Sequence, residues 1–309
     1  MISIIIATFN GEFVLPKMLQ ALCLLKIPCQ GVEFIIIDNA STDATAKILA
    51  EYTDKLPLKV LYEARQGKAF AIHNGIESAK GDLIIFSDDD VIPDKNWLVA
   101  YEQAAKQKLD YSVFLGQIRP YWTKQVPDWL TRLTDEGKMG GCTSITLKSG
   151  PSDYNYAKGA NFAVRKKVLD EISFREDLWV AGANNVGGED TDFVKKASLS
   201  GFKVWFESDA CLQHIIRPNE VTLVGIWQRY FRIGRSMSAV SDTKNEKVFN
   251  GPKLFGYPRW FLFNTLKQCI KLVILSLTFK PYAFAIKMIN LAMSCGQQYQ
   301  LKSMAKKEH

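Results

Sequence analysis

Three adjacent carboxylates, Asp88-Asp89-Asp90, follow the apolar run Leu83-Ile84-Ile85-Phe86. Side by side they repel one another, so something must offset them. A hard divalent cation does this, and Mg2+ or Mn2+ is typically held by one or two carboxylates plus substrate phosphates. The alternative is a solvated acidic turn capping a helix that starts near Pro93. Arg65 and Lys68 flank Gly67. A cation beside a glycine turn suits a diphosphate, and the alternative is exposed loop charge. Asp38 closes a second apolar run, Phe34-Ile35-Ile36-Ile37. There it can accept hydrogen bonds from a base or ribose, or serve a turn, as Asp43 does. Gly187-Gly188-Glu189-Asp190-Thr191-Asp192 opens an amphipathic segment. Acids at a helix start are favoured by the macrodipole, while the glycine pair lets backbone or ligand come close. His214 ends another apolar run and is either a metal ligand or an ordinary hydrogen-bonded side chain.

These residues need elements to carry them. Ser3 to Thr8 is a β-branched run followed by the turn Phe9-Asn10-Gly11. Leu15, Met18, Leu19 and Leu22 recur at helical spacing. Glu33–Ile37 and Leu58–Tyr62 read as strands, with a helix between them capped by Ser41 or Thr42 and facing inward at Ile48 and Leu49. A helix over 69–78 then leads to the strand that ends in the acids. Strand, helix, strand, strand, helix, strand is the order of a parallel α/β sheet. It brings Thr8 and Asn10, Asp38, and Asp88 to Asp90 to one sheet edge, where such sheets bind ligands. No GxGxxG follows the first strand, which counts against a dinucleotide dehydrogenase.

Beyond Pro93 a helix over 97–105 and a strand over 113–118 are expected. Tyr121 to Gly150, with Trp122 and Trp129, has weak periodicity and reads as a variable segment facing an acceptor. Its aromatics stack on a sugar or simply pack. Lys158-Gly159-Ala160-Asn161 is a glycine turn entering a strand, followed by a helix over 165–172. Phe193, Val194, Ala197 and Leu199 mark a helix ended by Gly201-Phe202, and strands follow at 203–206 and 210–214.

The chain has 309 residues, 47% of them hydrophobic and 23% charged, which suits one large α/β domain plus an appendage. A net charge of +7 favours an anionic partner. Six cysteines with no CxxC pair suit reduced thiols in a cytoplasm. The apolar Met1–Thr8 is too short for a cleavable signal and lacks its basic flank.

Over roughly residues 1–240 these stretches resemble glycosyltransferase family 2, the inverting, nucleotide-sugar-dependent enzymes of GT-A fold. Thr8-Phe9-Asn10 is similar to the family's first nucleotide loop. Asp38-Asn39-Ala40-Ser41-Thr42-Asp43 is similar to its D-[DN]-x-S-x-D segment, whose first acid contacts the base. Gly67, Lys68, Ala71, Asn74 and Gly75 match G-K-x-x-A-x-N-x-G. Asp88 and Asp90 match the DxD motif, and Gly188-Glu189-Asp190 resembles the acceptor-site motif. Asn39 is a departure, since many members carry a second acid there.

The resemblance implies an α/β GT-A fold: a Rossmann-like nucleotide-binding sheet fused to a smaller acceptor-binding half, with a C-terminal helical extension. The domain boundaries expected are 1–220 for the catalytic domain (1–115 nucleotide-sugar half, 116–220 acceptor half) and 221–309 for the extension. It further implies Thr8, Asn10, Asp38, Arg65, Lys68, Asp88 and Asp89 at the nucleotide sugar. Asp90, Asp88 and His214 are then metal ligands, and Asp190 is the catalytic base, with Glu189 the next candidate. The implied cofactor is a divalent metal, Mn2+ or Mg2+. The donor is a nucleoside-diphosphate sugar, a UDP-sugar by preference. The acceptor is a saccharide or lipid-linked saccharide hydroxyl in cell-surface polysaccharide or glycan synthesis.

Val221 to Val240 reads as an amphipathic helix with the stripe Leu223, Ile226, Trp227, Tyr230 and Phe231 beside Arg229, Arg232 and Arg235. From Phe255 to Met293 the chain is apolar and aromatic, interrupted by lysines. Basic aromatic amphipathic segments lie in membrane interfaces. An anionic membrane surface is therefore an expected partner, at the inner face of the cell membrane. A packed helical pair, an oligomer contact and a true span are the alternatives. Nucleic acid is not an expected partner, because the basic residues form no recognisable binding module. Two further readings compete: a non-catalytic carbohydrate-binding protein of the same fold, and a metal-dependent phosphohydrolase.

Overall fold

The residues Ile4-Ile5-Ile6 place successive side chains on opposite sides of strand β1 (Ile2–Thr8), and each side is buried in a different core. The computed structural model describes residues 1–139, 141–178, 186–240, 252–254 and 257–305. Phe255, where the C-terminal apolar stretch begins, lies outside them. Two units are present. One comprises Met1–Gln125, Thr134–Asn185 and Glu189–Ile216; the other comprises Val126–Leu133, Val186–Gly188 and Arg217–His309.

The first unit alternates β1, α1 (Leu15–Leu22), β2 (Val32–Asp38), α2 (Thr45–Ala50), β3 (Leu58–Tyr62), α3 (Lys68–Ser78) and β4 (Leu83–Asp88). The four strands are parallel in the order β3-β2-β1-β4. Burial on both faces explains the continuous apolar sequence of β1, β2 and β4, whereas the edge strand β3 exposes Lys59, Val60 and Tyr62. Register sets the site: Thr8 pairs with Asp38, Ala7 with Asp88, and Asp38 with Tyr62. The three strand ends therefore finish level at one edge.

Beyond β4 the sheet turns mixed. After β5 (Val91–Pro93), α4 (Trp97–Gln107), β6 (Tyr111–Trp122), α5 (Asp128–Asp135), β7 (Gly150–Ser152), β8 (Asn161–Arg165), α6 (Lys166–Leu169) and α7 (Glu189–Leu199) comes the long strand β9 (Lys203–Ile216). The sheet runs on as β4-β8-β6-β9-β5, with β7 also on β9, and β8 is antiparallel to both β4 and β6. On one face lie Phe34, Ile85, Trp97 and Tyr101; on the other Phe86, Phe162, Phe174 and Phe193. Phe174 and Phe193 stack at 4.3 Å between ring centroids, which fastens α7 beneath β4.

Several expectations are corrected here. Pro93 does not start a helix: it ends β5, which pairs with β9, and α4 begins at Trp97. The helix expected over 165–172 is only Lys166–Leu169. The two strands expected at 203–206 and 210–214 are one, because a register shift against Gly116 and Gln117 absorbs Ser208 to Ala210. The strand expected at 113–118 extends to Tyr111–Trp122, and the weakly periodic 121–150 stretch contains α5. Neither Ser41 nor Thr42 caps α2. The helix N-cap is Ala44, without a side-chain cap; Asp43 just before it accepts from Thr45 N, Thr45 Oγ1 and Glu12 N. Although burial is the largest single effect and raises it, these bonds together hold its carboxyl below the ordinary range.

In the second unit, α8 (Leu223–Val240) is followed by α9 (Arg259–Leu277) and α10 (Pro281–Ala305). Gly234 and Gly296 let α8 and α10 meet backbone to backbone: an added Cβ would overlap Met293 O or Phe231 O. Arg235 does not join an outward basic face. It is buried, donates to Gln300 Oε1 at 3.2 Å and covers the Tyr299 ring. Arg229 is paired with Glu220 at 2.8 Å. By length and composition α9 is one helix apolar enough to cross a membrane, with a mean hydropathy of 1.3.

Candidate functional site

Lys68 stands at the first position of α3, after Gly67, whose φ of 149° favours glycine. Its Nζ lies 2.9 Å from Asp88 Oδ1, 3.2 Å from Glu189 Oε1 and 3.3 Å from Asp190 Oδ2. Residues from α3, the end of β4 and the start of α7 thus meet around one ammonium. Glu189 and Asp190 are buried. Asp190 Oδ1 is also buried, without a hydrogen-bond partner.

Three carboxylates around one lysine leave excess negative charge in a poorly solvated place. Asp190 is pushed well above the usual carboxylate range, first by burial and then by the charge of Glu189, with Lys68 opposing. Burial disfavours the charged lysine, but Asp190, Asp88 and Glu189 together hold Lys68 well above its ordinary value. A basic carboxylate with an unpartnered oxygen is equipped to take a proton from a hydroxyl brought against it.

Next to this cluster, Thr8 is buried and its hydroxyl donates to Asp89 Oδ2 at 2.6 Å. An added Cβ at Gly11 would crowd both groups. Asp90 faces His214, Nε2 to Oδ2, at 3.3 Å. Strand pairing explains that meeting: Val91 is opposite His214, and Ile215 N donates to Asp90 O. Asp38 accepts from Ser41 N, and Asn10 (φ 52°) accepts from Thr42 N, which ties the first two loops together. Arg65 forms a two-pronged ion pair with Glu63 and lies over the Phe70 ring.

Asn39, the departure from the resembled motif, does something an acid could not. Its Nδ2 donates to Glu63 O and Arg65 O, and its Oδ1 accepts from Gly67 N at 2.8 Å. An aspartate would lack both donors, so Asn39 sets the loop from which Lys68 projects. Gly159 is another residue whose role the sequence did not disclose. An added Cβ there would overlap the Asp190 carboxylate, so the bare backbone of the Lys158-Gly159 turn leaves Asp190 its place. Asn161 holds that turn's strand with four hydrogen bonds, to Gln117 O, Ala210 O, Trp97 Nε1 and Tyr101 OH. The signal in the sequence was the glycine turn Lys158-Gly159-Ala160-Asn161 entering a strand.

The donor set fits a hard or borderline cation. Among the described residues no three His, Cys, Asp or Glu side chains form a complete cage. Mg2+ and Mn2+ do not need one when substrate phosphates fill the remaining positions. Asp90 and His214 could supply oxygen and nitrogen from one pair, Asp88 two residues earlier is engaged with Lys68, and the ammonium already drawn in among the acids shows the site's demand for positive charge.

The family profile described as "Glycosyl transferase family 2" matches residues 3–173. Glycosyltransferase AglE of Haloferax volcanii is 26% identical over 242 residues, covering 77% of this chain and 73% of that protein. Among solved structures, mannosyltransferase PcManGT from Pyrobaculum calidifontis, in complex with GDP-Man and Mn2+, is similar with a TM-score of 0.57. The identity is 17%, over 99% of this chain and 74% of that one. S. aureus TarS 1-349 in complex with UDP-GlcNAc gives 0.55 at 18% identity, over 97% and 91% respectively. At these identities the structural likeness speaks for the GT-A fold alone.

Proposed function

Because the chain belongs to glycosyl transferase family 2 and is a glycosyltransferase, we propose that it moves a sugar from a nucleoside diphosphate to an acceptor hydroxyl with inversion. The observation that carries this reading is the convergence on Lys68 of Asp88 and Asp190, about a hundred residues apart in the sequence. In the reaction the acceptor oxygen bonds to the anomeric carbon as that carbon's bond to the diphosphate oxygen breaks. The hydroxyl proton passes to Asp190, whose raised proton affinity and unpartnered Oδ1 suit the task. Glu189 tunes Asp190 rather than replacing it. Lys68 balances charge near the leaving diphosphate, and Asp38, Asn10 and the Thr8–Asp89 pair line the donor edge. Arg65 borders that edge from the loop before α3.

A Mn2+ or Mg2+ ion held by Asp90, His214 and Asp88 would supply Lewis-acid stabilisation of the leaving diphosphate. A UDP-sugar is the proposed donor, in line with the UDP-GlcNAc named for TarS. The acceptor is a saccharide or lipid-linked saccharide of a cell-surface polysaccharide or glycan. Names among the relatives support that class, including a succinoglycan biosynthesis protein and a dolichyl-phosphate-linked sugar transferase. The proposed place of work is the inner face of the cell membrane, a reading supported by the basic, apolar C-terminal helices.

A panel of nucleotide sugars screened by thermal shift tests the donor, since a bound ligand raises the melting temperature by mass action. One donor class is expected to stabilise the protein with Mn2+ and not with EDTA, and EDTA is expected to stop transfer. Donor binding without turnover on any acceptor would favour the carbohydrate-binding reading, and phosphate release alone would favour the phosphohydrolase.

A further inference from the structure

Helix α9 has two apolar sides, and only one of them is covered. Phe261, Thr265, Gln268, Leu272 and Leu275, spaced three and four apart, are wholly or partly buried, and α9 packs against α10. On the other side Phe263, Leu266, Ile270, Val273, Ile274 and Leu277 are each more than half exposed. At 3.6 residues per turn these six fall within an arc of about 100°. Lys267, Lys271 and Trp260 border the arc on one flank. A stripe of this kind on a water-facing helix marks an interaction surface.

The charge around it selects the partner. Between Glu246 and Glu308 the sequence holds ten Lys or Arg and no Asp or Glu. A second copy stacked on the same face would set these lysines against their own equivalents with no acid to meet them. An anionic surface meets Lys267 and Lys271 on the flank of the stripe. We propose that this face of α9 rests in the interface of an anionic lipid bilayer, the helix axis in the membrane plane. Phe263 to Leu277 then enter the acyl boundary, while Lys267 and Lys271 reach back to headgroup phosphates. A span is disfavoured because these lysines are the ninth and thirteenth of 19 residues. Each would sit near the bilayer centre, a penalty of roughly a hundredfold in insertion. The proposal rests on the reading that the enzyme works at a membrane and adds the surface and the posture.

Flotation of the full chain with vesicles of phosphatidylcholine, alone or mixed with phosphatidylglycerol, tests it. Binding is expected only to the mixed vesicles, at low salt, and release is expected at high salt. Lys267→Gln with Lys271→Gln should weaken it roughly 25-fold, at about fivefold per lysine near an anionic surface. Phe263→Gln with Ile270→Gln should weaken it further. Neither pair should alter the melting temperature or the thermal shift produced by UDP with Mn2+. No vesicle binding by the unsubstituted protein would remove the membrane reading while leaving the transferase reading intact. Binding indifferent to both pairs would remove this surface but keep the membrane. Resistance to alkaline carbonate extraction would replace the in-plane posture with a span. A dimer abolished by Phe263→Gln with Ile270→Gln, without vesicle binding, would assign the face to a second copy.

Discussion

In the catalytic unit Lys68, Asp88, Glu189 and Asp190 crowd together out of water, whereas in the helical unit Phe263, Leu266, Ile270 and Leu277 stand in it. Ordinary partition puts charge outside and apolar groups inside. Each unit breaks that rule in the opposite direction, and in each the breach marks the place where binding is proposed. Buried charge has strong, directional effects because the surroundings do not screen it. Exposed apolar area has a diffuse effect, proportional to its extent and indifferent to orientation. The first suits a reaction at defined atoms, and the second suits attachment to a surface.

The largest effect should come from the residue with the strongest electrostatic conflict. Asp190→Asn is expected to lower kcat by about 10²–10⁴-fold, the usual worth of a general base, with donor affinity nearly unchanged. Stability should move the other way. Because the Asp190 carboxyl has a raised proton affinity in the folded state, its favourable contribution is present at low pH and lost as pH rises through the folded value. The amide stays neutral, so the variant's melting temperature should gain on the original chain as pH rises. Full activity in the variant, or a stability loss that grows with pH, would break the comparison.

Gly159→Ala should come next. Its methyl overlaps the Asp190 carboxylate, and displacing a catalytic group by about 1 Å lowers rates on the order of 10²-fold. Steady-state kinetics should show the loss in kcat, with the UDP–Mn2+ thermal shift retained. An unchanged kcat would mean that Asp190 has room to move and is not held in place by the turn.

The smallest effect sharpens the electrostatic account. Glu189 is the second cause, after burial, of the raised Asp190 value. Removing its charge in Glu189→Gln should bring Asp190 back toward the ordinary carboxylate range. The base then stays ionised to lower pH, so the acid limb of kcat/KM should shift downward. A limb that stays put would assign the shift to burial alone.

Much of this was legible before folding was considered. The apolar runs before Asp38 and Asp88 could only be buried strands, and the parallel pattern placed their ends at one edge. The resemblance carried by Asp38, Gly67-Lys68, Asp88 and Gly188-Glu189-Asp190 anticipated the family and the fold. The misread elements had weak local signals. Pro93 ends a strand because β9 is there to pair with it, a partner more than a hundred residues away. Arg235 looked like surface charge because periodicity does not say which neighbour a helix face will meet.

Residue types and their order settled which groups were available: acids after apolar runs, a lysine after a glycine, a basic chain end without carboxylates. Tertiary structure decided what each group does, because charge and exposure take their effect from distance and solvent, and neither is a local property. Lys68 became the common partner of three acids, Asn39 the tie for the lysine's loop and Gly159 the clearance beside Asp190 only once α7 was fastened under β4 by Phe174 and Phe193. One side of α9 was left uncovered for the same reason: packing, rather than composition, chose which apolar face α10 would hide.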